Sequence, residues 1–165
     1  MNELDRLTQL VLERQAAMTL YARQWLDMAS AEDAVQEALT ALLMQRQAPN
    51  DPIAWMFRAV RNAAIDCARS ASRRKRREKA VAAERYEWFE PRPDLVIDAE
   101  TAEKALRGLP ADDRQIVVLR IWGTLNFSQI AEIVGLGVST VHDRYSSALE
   151  QMRNKLEKPC RNPTD

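Results

Sequence analysis

Apolar residues recur three and four positions apart through nearly every segment of this 165-residue chain that lies between prolines. That spacing puts them on one side of a helix and rules out the alternation a half-buried strand requires. From Leu4 to about Asp27 the series is Leu7, Leu10, Val11, Met18 and Tyr21, with Trp25 and Leu26 following. Leu, Ala, Glu, Gln and Arg dominate the composition, all of them good helix formers. Glycines number only four, too few for a chain of tight hairpin turns. With 46% apolar residues a real core is available. The expected class is all-α, in two small helical domains joined by a linker.

The helix boundaries follow from stop and start signals. A second helix is expected within "MASAEDAVQEALTALLMQRQ", with Ser30 as its N-cap and Asp33 three residues on. Val35, Ala38, Leu39 and Leu42 make its apolar stripe, while Asp33, Gln36, Glu37 and Thr40 line another face. Pro49 and Pro52 stop that helix. Asp51 then caps a third, with Pro52 at its first position. Ile53, Met56, Val60, Ala64 and Cys67 are the third helix's apolar series, so Cys67 reads as a small buried residue. Pro110 opens a further helix that carries Asp112 and Asp113 in its first turn, where the helix dipole favours acids. Two short helices follow, within 127–135 and 139–158.

Formal neutrality conceals segregation of charge. Residues 1–57 hold four basic and eight acidic residues, and 58–79 hold nine and two. Residues 80–113 hold four and nine, and 114–165 hold seven and five. A single basic island, with five consecutive cations from Arg73 to Arg77, therefore lies between two acidic regions. Cations suit a helix C-terminus, but so many in one place exceed that need and point to an anionic partner.

Several classes are excluded. Glu3, Asp5 and Arg6 come early and no long apolar run follows, unlike a signal peptide. No uncharged stretch is long enough to span a bilayer, so no membrane insertion is expected and the location expected is cytoplasmic. Cys67 and Cys160 form no CxxC pair, and His142 is the sole histidine, so neither a metal nor another cofactor is expected. No Ser-His-Asp set or phosphate-binding glycine loop appears, and an enzyme is not expected. The stretch "ERYEWFEPRPD" reads as part of an interdomain linker.

The stretch "FSQIAEIVGLGVSTVHDRYSSALEQM" fits a helix-turn-helix. Ala131 is small enough for two helices to approach closely, and Gly135 sits where the turn needs a positive φ. Ile130, Val134, Leu136, Val138 and Val141 supply buried positions. Val141, Tyr145, Ala148 and Met152 continue the inner stripe. The outer face carries Ser139, Thr140, His142, Asp143, Ser146 and Ser147, with Arg144 near its edge. Short polar side chains of this kind suit a major groove. An ordinary helical hairpin facing water accounts for the same pattern.

Together these segments resemble the extracytoplasmic-function sigma factors of bacterial RNA polymerase. "AEDAVQEALTALL" is similar to their region 2.2, "PIAWMFRAVRNAAIDCARSASRRKRR" to regions 2.3 and 2.4, and 106–153 to region 4. The resemblance implies domains at 1–80 and 100–158, a linker at 81–99 and a tail at 159–165. It implies that Asp33, Gln36, Glu37 and Thr40 grip the β′ clamp of core polymerase, and that the β flap is a further contact of the chain. Arg58, Arg61, Asn62, Arg69, Arg73, Arg74, Arg76 and Arg77 would meet the −10 element. Asn62 and Asp66 are equally consistent with local hydrogen bonds that fix their helix. Ser139, Thr140, His142, Asp143, Arg144 and Ser147 would read the −35 element of promoter DNA. Asn50 and Asp51 both stand where the family captures a flipped base. The linker would thread the polymerase cleft, though a plain tether explains it equally well. An anti-sigma factor is the expected inhibitor. The alternative is a stand-alone helix-turn-helix regulator.

Overall fold

The computed structural model describes residues 2–77 and 99–157. The linker expected at 81–99 lies outside them except for Ala99, and so does the tail at 159–165. Among the described residues there are seven helices: α1 (Glu3–Ala22), α2 (Met28–Leu43), α3 (Pro52–Arg77), α4 (Ala99–Arg107), α5 (Ala111–Ile121), α6 (Phe127–Val134) and α7 (Val138–Glu157). They fall into two compact units, α1–α3 and α4–α7.

In the first unit each helix packs on the other two. Asn2 and Asp5 form a reciprocal capping box that starts α1. The α2 cap differs from the expected one: Asp27, not Ser30, is the N-cap, and its carboxylate accepts the Ser30 backbone N–H at 2.7 Å. Both residue types are good N-caps, and Asp27, in extended backbone with its carboxylate on the Ser30 N–H, starts the helix before Ser30, which then lies in the first turn. Asp51 caps α3 as expected, accepting from Ala54 N–H at 3.0 Å, with Pro52 at the first helical position.

The core of this unit gathers Val11, Met18, Tyr21, Val35, Met56, Phe57 and Val60. Tyr21 stands edge-on to Trp25 and to Phe57, at ring centroid distances of 5.3 and 5.8 Å. Burial pushes its phenol pKa well above the ordinary value, and the Arg61 guanidinium beside it opposes that rise. The last buried residue of α3 is Ala64. Beyond it the described residues of the helix are half-buried at most, and Cys67, expected in the core, is exposed.

In the second unit α5, α6 and α7 pack pairwise, and α4 rests on α7. Leu106, Ile116, Leu119, Leu125, Ile130, Val141 and Ala148 form its core. Asp112 and Asp113 occupy the first turn of α5. Asn126 and Gln129 make a second capping box, which starts α6. Gly135 ends α6 in the left-handed region, at φ +74°. Among the positions expected to be buried, Val134 and Leu136 are half-buried and Val138 is exposed; Ile133 takes the place in the core instead.

Candidate nucleic-acid and polymerase interfaces

Three exposed surfaces carry the residues singled out from the sequence. The first is on α2. Asp33, Gln36, Glu37 and Thr40 are all exposed, opposite buried Ala31, Ala34, Val35, Ala38 and Leu42. The helical period alone creates this separation. The Thr40 hydroxyl donates to its own helix, at 2.9 Å from Gln36 O, which leaves the carboxylates and the Gln36 amide as the groups turned outward. The face ends in two exposed apolar residues, Leu43 and Met44.

The second surface is α3. Arg58, Asn62, Asp66 and Arg69 are exposed, and from Ala71 to Arg76 every residue is exposed. Arg73, Arg74, Lys75 and Arg76 therefore stand on a stretch of helix with no buried residue. Arg77 closes the helix. Arg61 departs from this set. It is half-buried, and its side chain hydrogen-bonds the Tyr21 hydroxyl, so it ties α3 to α1. Sequence spacing puts Arg61 with its neighbours, but a partner forty residues upstream turns it inward. Of the two candidates in the preceding loop, Asp51 spends a carboxylate oxygen on the α3 cap, whereas Asn50 is exposed.

The third surface belongs to α6 and α7. Ser139, Thr140, His142, Asp143, Ser146 and Ser147 are all exposed, and Val141 and Ala148 are fully buried beneath them. Tyr145 and Met152 are half-buried on the inner side. Arg144 lies at the edge, and its guanidinium stands 3.6 Å from both Asp112 and Asp113 at the start of α5. Two carboxylates thus already claim the cation of this face. His142 Nδ1 lies 3.6 Å from the Asp143 carboxylate.

A cluster behind this face was not legible from spacing. Phe127, the first residue of α6, meets the His142 ring edge-on at 5.2 Å and the Tyr145 ring at 5.5 Å. The Arg120 guanidinium covers the same phenyl ring at 4.7 Å and donates to Leu125 O at 2.8 Å. The short turn between α5 and α6, with Thr124 at φ 51°, brings these groups together. Among the described residues no cluster of His, Cys, Asp and Glu is suited to a metal ion, and no helix is long and apolar enough to cross a membrane.

Comparisons with known proteins fall on the same two units. Family models for sigma-70 region 2 and sigma-70 region 4 match residues 11–74 and 105–154. The RNA polymerase sigma factor SigV of Bacillus subtilis is 30% identical over 132 residues, which is 78% of this chain and 76% of SigV. The ECF RNA polymerase sigma factor SigK of Mycobacterium ulcerans is 26% identical over 113 residues, 64% of this chain and 59% of SigK. A probable RNA polymerase sigma factor, RfaY of Xanthomonas campestris, is 30% identical over 139 residues, 79% of this chain but only 35% of RfaY. Among solved structures, the sigma factor RpoE of Bartonella quintana, crystallised with the anti-sigma factor NepR, has the same fold. The TM-score is 0.74 at 24% identity, covering 91% of this chain and 96% of RpoE.

Proposed function

Because the chain belongs to the sigma-70 family, as an extracytoplasmic-function sigma factor, we propose that it binds core RNA polymerase, directs it to promoters and helps open the DNA. The observation that carries this reading is the presence in one chain of a region 2 match and a region 4 match, in that order, each on its own compact unit. The chain spans 35% and 59% of the length of two of its relatives, so its partners are inferred for these two units.

In this reading α2 docks on the β′ clamp through Asp33, Gln36, Glu37 and Thr40. Outward carboxylates accept charge-assisted hydrogen bonds and so suit a basic partner surface. The α3 stem then lies along the −10 element. Arg58, Asn62 and Arg69 line it, and Arg73, Arg74, Arg76 and Arg77 at its end bind phosphates while the strands separate. Exposed arginines on an unpacked stem can follow a backbone whose geometry changes on melting, and they hold either strand without reading sequence. Arg61 acts by holding the stem to α1 through Tyr21. Asn50 is the better candidate for capturing a flipped base, since Asp51 is engaged as a helix cap.

The α7 face reads the −35 element as duplex, through Ser139, Thr140, His142, Asp143 and Ser147. Arg144, engaged by Asp112 and Asp113, reinforces the packing of α7 on α5 at the edge of that face. None of these roles is catalytic, and the working location is the cytoplasm, where polymerase and DNA are. An anti-sigma partner, of the kind that the RpoE structure contains, would block one or both units.

The test is binding to purified core polymerase in the absence of DNA. The chain should bind, and the Gln36→Ala/Glu37→Ala double variant should bind at least about tenfold more weakly, equivalent to about 1.4 kcal/mol, with an unchanged helical circular-dichroism signal. A stand-alone regulator would ignore core polymerase and bind a duplex tightly by itself.

A further inference from the structure

On the reading that α7 faces DNA, we propose that Phe127 and Arg120 set the sequence preference of the chain without touching DNA, by fixing the His142 ring. His142 is the one aromatic side chain on the outer face of α7, and it is exposed. A free imidazole on a helix surface samples several rotamers and presents its two nitrogens in several directions. Here one side of the ring is closed. Phe127 meets it edge-on at 5.2 Å, and the neighbouring Asp143 carboxylate stands 3.6 Å from Nδ1. These two neighbours bias the ring plane and the nitrogen that points outward.

Phe127 is itself held on two sides. Tyr145, one turn along α7 from His142, packs against its ring at 5.5 Å. The Arg120 guanidinium lies over the ring face at 4.7 Å. Arg120 is in turn pinned, because it donates to Leu125 O at 2.8 Å across the turn between α5 and α6. A chain of touching groups therefore runs from the backbone of that turn through Arg120 and Phe127 to His142. Discrimination between bases depends on donor and acceptor positions accurate to a fraction of an ångström, and residues that hold a reading group control it as much as the group does. Arg120 and Phe127 are positioning residues in this sense.

The experiment uses full-length chain in holoenzyme with purified core polymerase and a library randomised across the −35 element. Transcription is read by sequencing for wild type, Phe127→Leu, Arg120→Lys, His142→Ala, and each of the first two combined with His142→Ala. His142→Ala should change preference at one or two base positions. Phe127→Leu should change the same positions by about fivefold and leave the others alone. It should have no further effect on preference in the His142→Ala background, because its route to DNA is gone. Arg120→Lys keeps the charge but loses the flat stack, and should give a smaller shift at the same positions. It carries the test alone if Phe127→Leu no longer melts cooperatively. Uniform loss across the library in both positioning variants would overturn the proposal, as would shifts that persist without His142. If His142→Ala itself moves no position, then α7 does not read through His142, and the proposal falls with that reading. The His142→Ala library alone therefore separates failure of the reading from failure of the positioning.

Discussion

Replacing Arg73, Arg74 and Arg76 with glutamine should make promoter binding by the holoenzyme less sensitive to salt by a calculable amount. All three side chains are exposed, on a part of α3 that carries no core, so the substitution removes charge and nothing else. For each phosphate no longer neutralised, the slope of log K against log salt falls by about 0.9 for duplex and about 0.7 for single strands. Removing three cations then changes the slope by about 2.7 or about 2.1. Between 50 and 200 mM salt the wild type should accordingly lose about 20- to 40-fold more affinity than the variant. The assay is holoenzyme binding to a labelled promoter at four salt concentrations, alongside thermal melting of the free variant. Melting should be unchanged. Weakening should be alike for promoters of different −35 sequence, and open-complex formation should slow. An unchanged slope would refute the assignment of the island to phosphates. A lowered melting temperature would refute the claim that the stem is free of core packing.

Asp27→Ala should destabilise the first unit by about 1 kcal/mol, through loss of the α2 cap. The Ser30 N–H holds the Asp27 carboxylate below its ordinary pKa, so this stabilisation is full above about pH 4 and is lost as pH falls through the lower folded value. The gap between wild type and variant, measured by urea melts, should be level from pH 8 to 5 and narrow towards pH 3. Gly135→Ala should cost about 1–2 kcal/mol from the left-handed backbone alone, since the added methyl group would meet no atom within 4 Å. Calorimetry of a 99–157 fragment, if it folds alone, or of the full chain would read that loss. The free chain should bind an isolated promoter duplex poorly, because the Arg144 cation is already engaged and Asp143 repels phosphates. A titration of labelled duplex at two salt concentrations should show weak, salt-sensitive binding that improves in holoenzyme.

Those expectations rest on features of unequal legibility. The all-α class, the Asp51 cap, the polar face of α2 and the positive φ at Gly135 are local, and spacing or a single residue type determines each. The burial errors have one physical origin: spacing tells which side of a helix is apolar, not how far along it the core extends. Cys67 keeps the α3 period yet is exposed, lying beyond Ala64, the last buried residue of that helix. Val138 is apolar and exposed, because α7 begins there before its inner face meets α6. Ser30 satisfied the cap preference, but Asp27 satisfied it three residues earlier. Arg61 and Arg144 were legible as cations and not as tethers, since Tyr21 and the Asp112–Asp113 pair are distant in sequence. The Arg120–Phe127–His142 chain has no sequence signal of its own and emerges only when the turn between α5 and α6 is closed.

The most direct measurement is transcription from a genomic template by purified core polymerase with and without this chain, with start sites mapped by sequencing. New starts should appear only with the chain and share two upstream sequence blocks, near −35 and −10. His142→Ala should alter only the first block. Start sites unchanged by the chain, with no binding to core polymerase, would refute its role as a sigma factor.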